Sequence, residues 1–203
     1  MNREALITEL KARGFDYLPA SRCANYLNDA YLVDICEQED WPFLQALETG
    51  IAPLSILDLR SVRWVIDATN EVKLAPLDPR EITDNYGANI AEAGTPSFWY
   101  MQSAETLATF PTSTTITLQV AYWRAPSLLE GASDEPVLPT RFHSLVIDGA
   151  VARAYEDSDD YELAQNAREN FEARLQRMRE SLLGQNRDLP DEFISMIDPG
   201  EAA

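Results

Sequence analysis

The 203-residue chain carries one histidine and two cysteines, and it has only 16 basic residues against 34 acidic ones, for a formal net charge of −18. Each scarcity bears on function. With His143 alone, a histidine-based zinc site or a hydrolytic triad would rest on a single ring, and at the start of a helical segment that ring is expected as a surface or capping group. The deficit of basic side chains repels nucleic acid at long range, so a DNA-gripping module is not expected. A wall that DNA passes without sticking remains compatible, because that role needs little attraction to phosphate. Gly131 and Gly149 are isolated, so no glycine-rich phosphate loop is present. No apolar run approaches the ~18 residues of a spanning helix, and "MNREALITELKARG" lacks the long apolar core of a secretory signal. The expectation is a soluble protein made in a cytoplasm, with no membrane contact. Cys23 and Cys36 read as thirteen residues apart on one helix, on roughly opposite faces at about 100° per residue, and are expected as reduced, buried thiols.

Carboxylates are abundant but point to no reaction. The cluster Asp157, Asp159, Asp160 and Glu162 fails as a calcium loop: Tyr161 stands at the third ligand position and the bend glycine is missing. It reads as a solvated, acidic helix junction. Nothing singles out one pair of acids as a glycosidase dyad. The chain is therefore not expected to be an enzyme, and no cofactor or metal is expected.

What remains is a foldable chain, with 45% hydrophobic and 25% charged residues. "REALITELKARG" predicts a helix stopped by Gly14. "SRCANYLNDAYLVDICEQ" predicts a second, capped by Ser21 and apolar through Tyr26, Leu27, Ala30, Tyr31, Val33 and Ile35. "WPFLQALETG" reads as a short helix or turn anchored by Trp41 and Phe43. From Pro53 the period changes: "LSILDLRSVRWVID" reads as a strand whose phase shifts near Arg63 and Trp64, and "VKLAPL" is its return. "DPREITDNYG" has the proline-in, glycine-out signature of one short helix. "PSFWYMQ", "TLATF" and "TTITLQVAYWRAP" complete an expected five-stranded antiparallel sheet. After a proline-punctuated linker the helical period returns. Leu145, Val146, Ile147, Ala150, Val151 and Ala154 are expected deepest in the core, and a last helix carries Ala164, Ala167, Phe171, Leu175, Met178 and Leu182 on one stripe and stops at Gly184.

The expected class is thus α+β, a helical bundle interrupted by a small antiparallel β-sheet insertion. Residues 1–54 and 137–183 would form the helical core, residues 55–136 the insertion, and residues 184–203 a C-terminal tail. The aromatics of "AGTPSFWYMQSAETLATFP", with Trp64, Tyr122 and Trp123, either pack a two-sided sheet or line a binding platform. The second alternative makes the chain a ligand-binding module, most plausibly for carbohydrate.

The order of landmarks is familiar as a set. "SRCANYLNDAYLVDICEQEDWPFL", then "GTPSFWY", then "LQVAYWRAPSLL", then "PVLPTRFHSLVIDGAVARAY" resembles the head-to-tail adaptor, or connector, proteins of tailed phages, over roughly residues 15 to 183. The resemblance implies a non-enzymatic virion component of the neck, assembled in the host cytoplasm, with about a dozen copies in a homo-oligomeric ring. It implies the phage portal protein and a tail or tail-hub protein as partners, and a DNA channel through which DNA passes without specific binding. Trp99, Tyr100 and Trp123 become candidate docking contacts of the sheet. Arg168, Arg174, Arg177 and Arg179 become candidate inter-subunit contacts; the alternative is intrahelical pairing with Glu169, Glu172 and Glu180. In "RDLPDEFISMIDPGEAA", Phe193, Ile194, Met196 and Ile197 either anchor the portal or fold back on the bundle.

Overall fold

The computed structural model describes residues 1–86 and 93–187, with side chains through residue 82 and from 93 to 184. Gly87, Phe193, Ile194, Met196 and Ile197, to which sequence-based expectations attach, lie outside these residues. Contacts divide the chain into two compact units: Met1–Phe43 with the described residues from Pro126 onward, and Leu44–Ala125.

The first unit is helical. Asn2 caps α1 (Arg3–Leu10), its side-chain oxygen accepting from the Ala5 N–H at 3.0 Å. A wider turn follows over Lys11–Phe15, where Gly14 takes φ +103°, a left-handed conformation that a Cβ would strain. Helix α2 (Ala20–Asp29) starts behind Pro19, with φ −64° and extended ψ. Ser21 is therefore inside the helix rather than at its cap. The helix passes into a π-helical segment, Ala30–Cys36, and together these bury Cys23, Leu27, Ala30, Tyr31, Ile35 and Cys36. Both cysteines are free. Of the residues expected on the apolar face, Val33 is exposed and Tyr26 only half-buried. Trp41 is fully buried, stacks on Phe43 with ring centroids 5.7 Å apart, and donates from Nε1 to the Ile35 carbonyl at 2.7 Å.

Helix α4 (His143–Glu156; the number follows α3 of the second unit, described below) is the deepest element. It buries Leu145, Val146, Ile147, Ala150, Ala152 and Ala154. Gly149 sits where a Cβ would come within 2.9 Å of the Ala30 Cβ and 3.1 Å of Phe171 Cε2, so its missing side chain permits the close approach. Helix α5 (Tyr161–Arg187) presents Ala164, Phe171, Leu175 and Met178 to the core. It runs past Gly184, which lacks the left-handed backbone of a helix stop. His143 is buried, contrary to the expected surface position. Its Nε2 lies 2.9 Å from the Leu138 carbonyl, which can only accept, so Nε2 carries the proton and Nδ1 accepts from the Met1 amino group.

The second unit overturns the expected fold class. In place of a small antiparallel insertion in a helical bundle, the chain builds a seven-stranded mixed sheet that is nearly barrel-shaped, alongside a few helices. The strands are β1 (Gln45–Ile51), β2 (Leu54–Ser55), β3 (Leu59–Asp67), β4 (Val72–Pro76), β5 (Phe98–Met101), β6 (Thr106–Phe110) and β7 (Thr117–Arg124), in the order β1-β7-β3-β4-β5-β6-β2. Two residues, Ala52 and Pro53, join the strands at opposite ends of that order, so the sheet curls back towards itself.

Two physical causes account for the difference. Residues 45–51 continue "WPF", whose aromatics suggest a helix or turn, yet they run extended beside β7 in seven consecutive pairs. Helix α3 (Pro79–Tyr86), which the sequence does announce, carries the chain back so that β5 pairs parallel to β4. Parallel neighbours need such a crossover, whereas antiparallel ones do not. The expected phase shift in β3 is present as two register shifts against β7, between Leu59 and Ser61 and between Val62 and Trp64. Ile56, Val65, Leu74, Leu107, Leu118, Val120 and Tyr122 form the inner core, and Ile82, Tyr100, Ala108 and Phe110 a second cluster. No helix among the described residues is long and apolar enough to cross a membrane.

Candidate functional site

Three arginines of α5, Arg168, Arg174 and Arg179, meet acids from other elements, and among the described residues none pairs with an intrahelical glutamate. Arg168 reaches Glu156 at 2.6 Å and Asp34 at 3.5 Å. Asp34, on the π-helical segment, also takes a two-pronged pair from Arg153 of α4 at 2.6 and 2.9 Å. That pair holds the Arg153 guanidinium above its ordinary pKa, mainly through the hydrogen bonds to Asp34. Arg174 bonds Asp148 and, at 2.7 Å, Ser144 Oγ, while Arg13 reaches the other oxygen of Asp148 at 2.6 Å. Arg179 pairs with Glu39 at 3.1 Å. Glu169 and Glu180 accept instead from Gln165 and Gln176. Arg177 is exposed and forms no ion pair among the described residues. A groove of about 390 Å³ lies between the π-helical segment and α5, with Phe171 and Leu175 as its apolar part and Asp34, Arg168 and Arg179 as its charged part.

At the junction of α4 and α5, Asp157 is occupied by protein groups. It accepts from Tyr26 Oη and Arg22, which hold its carboxyl below the ordinary carboxylate pKa, the tyrosine bond contributing most. No group of acids, histidines or cysteines among the described residues is arranged to hold a metal ion.

The sheet sorts its aromatics by face. Tyr100 is buried in the second cluster, and Trp99 packs half-buried against the inner core. Tyr122 is buried in the inner core, donating to Asp58 Oδ1 at 2.9 Å. Burial first, then that hydrogen bond, push its hydroxyl up to about 12. On the opposite face of the sheet, Leu47 stands beside Ala121, and Ala121 beside Trp64, in one row across β1, β7 and β3. Trp123, half-buried on that face, lies under the Arg63 guanidinium at 5.9 Å, and its Nε1 is buried without a hydrogen-bond partner. Leu47 and Ile51 are 55% and 62% exposed.

Of the residues expected to dock partners, then, Trp123 lies on the outer face, whereas Trp99 and Tyr100 serve packing. The pair Leu47 and Ile51 is not picked out by sequence reasoning. The available signal was the spacing of four between two apolar residues ahead of Pro53, which fits one face of a helix as well as one face of a strand.

No curated protein matches the chain. The family model described as SU10 adaptor protein matches residues 1–193, and the chain belongs to that family, a family of phage head-to-tail adaptors with a structural role.

Proposed function

We propose that the protein is a ring-forming head-to-tail adaptor of the phage neck that binds the portal vertex, extends the DNA channel and gives the tail or tail hub its docking surface. Membership of the adaptor family across residues 1–193 is the observation that carries this reading. The chemistry of the chain is consistent with it. A net charge of −18 suits a channel wall that must not retain DNA. In a closed ring each copy contacts the next head-to-tail, which asks for unlike surfaces on one subunit. Arg177, exposed and unpaired among the described residues, is the arginine proposed to meet an acidic neighbour, with Arg168 and Arg179, which line the groove, and Arg174 as further proposed inter-subunit contacts. Phe193, Ile194, Met196 and Ile197 are the proposed anchor on the portal.

The test is sedimentation of the full-length protein with purified portal rings. The adaptor reading predicts co-migration at a fixed ratio of copies per ring, reduced at least tenfold in affinity by Arg177→Glu if that contact closes the ring. A protein that stays at the top of the gradient at micromolar concentration, or that binds glycans as a free monomer, would contradict it.

A further inference from the structure

We propose that the outer face of the sheet, across β1, β7 and β3, takes the α4–α5 junction of a second copy of this chain, as a head-to-tail contact within the ring. The ring itself rests on the adaptor reading; the two surfaces rest on their own side chains. An antiparallel sheet with one packed face usually turns polar residues outward. Here Val65, Leu74, Leu118, Val120 and Tyr122 fill the core on the inner side, and the register puts Leu47, Ile51, Trp64, Ile66, Ala121 and Trp123 on the other. Both faces are therefore apolar, which marks the outer one for a partner.

Charge narrows the choice of partner. The chain holds 34 acidic residues, yet no acid takes an outward position on these strands. Arg63, at the register shift of β3, and Lys73, level with Ile66 on β4, are both exposed there. Neither forms an ion pair among the described residues. Glu48 falls on the inward positions, level with Val120. The face thus suits an occupant that is apolar and acidic at once. A hollow of about 290 Å³, lined by Leu47, Arg63, Trp64 and Ala121 among others, offers a seat for one ring, beside the residue types that dominate binding at protein interfaces.

The junction of α4 and α5 has the matching chemistry. Residues 156–163 are all exposed, and Tyr161, at 76%, and Leu163 stand among Asp159, Asp160 and Glu162. None of these three acids forms an ion pair among the described residues. The Tyr161 ring in the hollow would cover Leu47 and Trp64, and the acids around it would face Arg63 and Lys73. The two surfaces are unlike, so each copy offers its sheet face to one neighbour and its junction to the other. That is the contact pattern of a closed ring.

The indole N–H signals of the full-length protein, read by NMR, test this, because Trp64 and Trp123 lie on the outer face while Trp41 and Trp99 pack elsewhere. Labelled protein is titrated to millimolar concentration with unlabelled full-length copies carrying Arg63→Glu, whose junction is intact and whose own face is reversed in charge. The Trp64 and Trp123 signals are expected to shift with concentration, and those of Trp41 and Trp99 to stay. Adding Tyr161→Ala and Leu163→Ala to the unlabelled copies should weaken the apparent affinity by roughly tenfold or more; both side chains are exposed, so the fold does not depend on them. Labelled protein carrying Arg63→Glu should lose the shifts and recover them when the unlabelled copies carry Glu162→Lys. Indoles that stay still at millimolar concentration, or that move equally without Tyr161 and Leu163, would overturn the proposal. A single-stranded oligothymidylate that moves the same two indoles more tightly than the second copy does would assign the face to nucleic acid, and would also overturn it. Portal co-migration is scored separately: a protein that co-migrates yet leaves these indoles still keeps the adaptor reading and loses the contact, whereas the reverse result keeps the contact and loses the place on the portal.

Discussion

Tyr122 shows how one side chain couples the sheet to pH. Its ring fills the inner core, and its hydroxyl reaches Asp58 at 2.9 Å, so ionisation in the folded state would place a phenolate in an apolar site beside a carboxylate. Burial and that neighbour raise the folded pKa to about 12, against an ordinary value near 10. The neutral form is favoured by folding. The contribution is therefore fully present below about pH 10 and is lost as pH rises towards about 12, where the unfolded chain has already released its proton. Denaturant titrations at a series of alkaline pH values should show stability falling across that window. Tyr122→Phe should flatten the fall while costing about 1 kcal/mol at neutral pH for the lost hydrogen bond. An unchanged alkaline profile in the variant would assign the titration to another group.

At the scale of elements, the crossing of α4 with its neighbours depends on Gly149. A methyl group there meets the Ala30 Cβ at 2.9 Å and the Phe171 ring at 3.1 Å, and both contacts belong to packed helical segments with little room to retreat. Alanine is favoured over glycine within a helix by roughly 1 kcal/mol, so a purely local argument predicts stabilisation. Overpacking of a dense core costs about 1–3 kcal/mol, and here it outweighs the propensity term. Gly149→Ala should lower the melting temperature, whereas a rise would mean that the helices separate without cost. The same contrast explains which elements were legible in the sequence. Helices α4 and α5 announce themselves through apolar stripes. Strands β3 to β7, and the phase shift in β3, follow from alternation and turn residues. Strand β1 was not legible, because Leu47 and Ile51 suit a helical face and its exposed edge leaves no alternating buried pattern. The parallel pairing of β4 with β5 was equally hidden, since pairing direction depends on where α3 returns the chain and not on any residue of either strand. Ser21 and Gly184 carry the residue types of helix boundaries, but backbone geometry sets the boundaries at Pro19 and beyond Gly184.

For the whole molecule, charge was the most legible property and the site the least. Counting acidic and basic residues gives the net charge of −18, and the order of motifs points to the adaptor family, which the match over residues 1–193 establishes. Neither tells which arginines of α5 are free. Arg168, Arg174 and Arg179 are engaged by Glu156, Asp148 and Glu39, acids that lie far from them in the sequence or on other elements. A one-signed charge of this size also opposes self-association in solution at low salt, so the ring is expected to close on the portal, where contacts with the template offset the repulsion. Electron cryomicroscopy of the full-length protein, alone and mixed with purified portal rings, tests that claim most directly. Single subunits in the first sample, and in the second a closed ring of about a dozen copies continuing the portal channel, are the predicted result. Portal rings with bare ends at saturating protein, or subunits attached away from the channel axis, would contradict it.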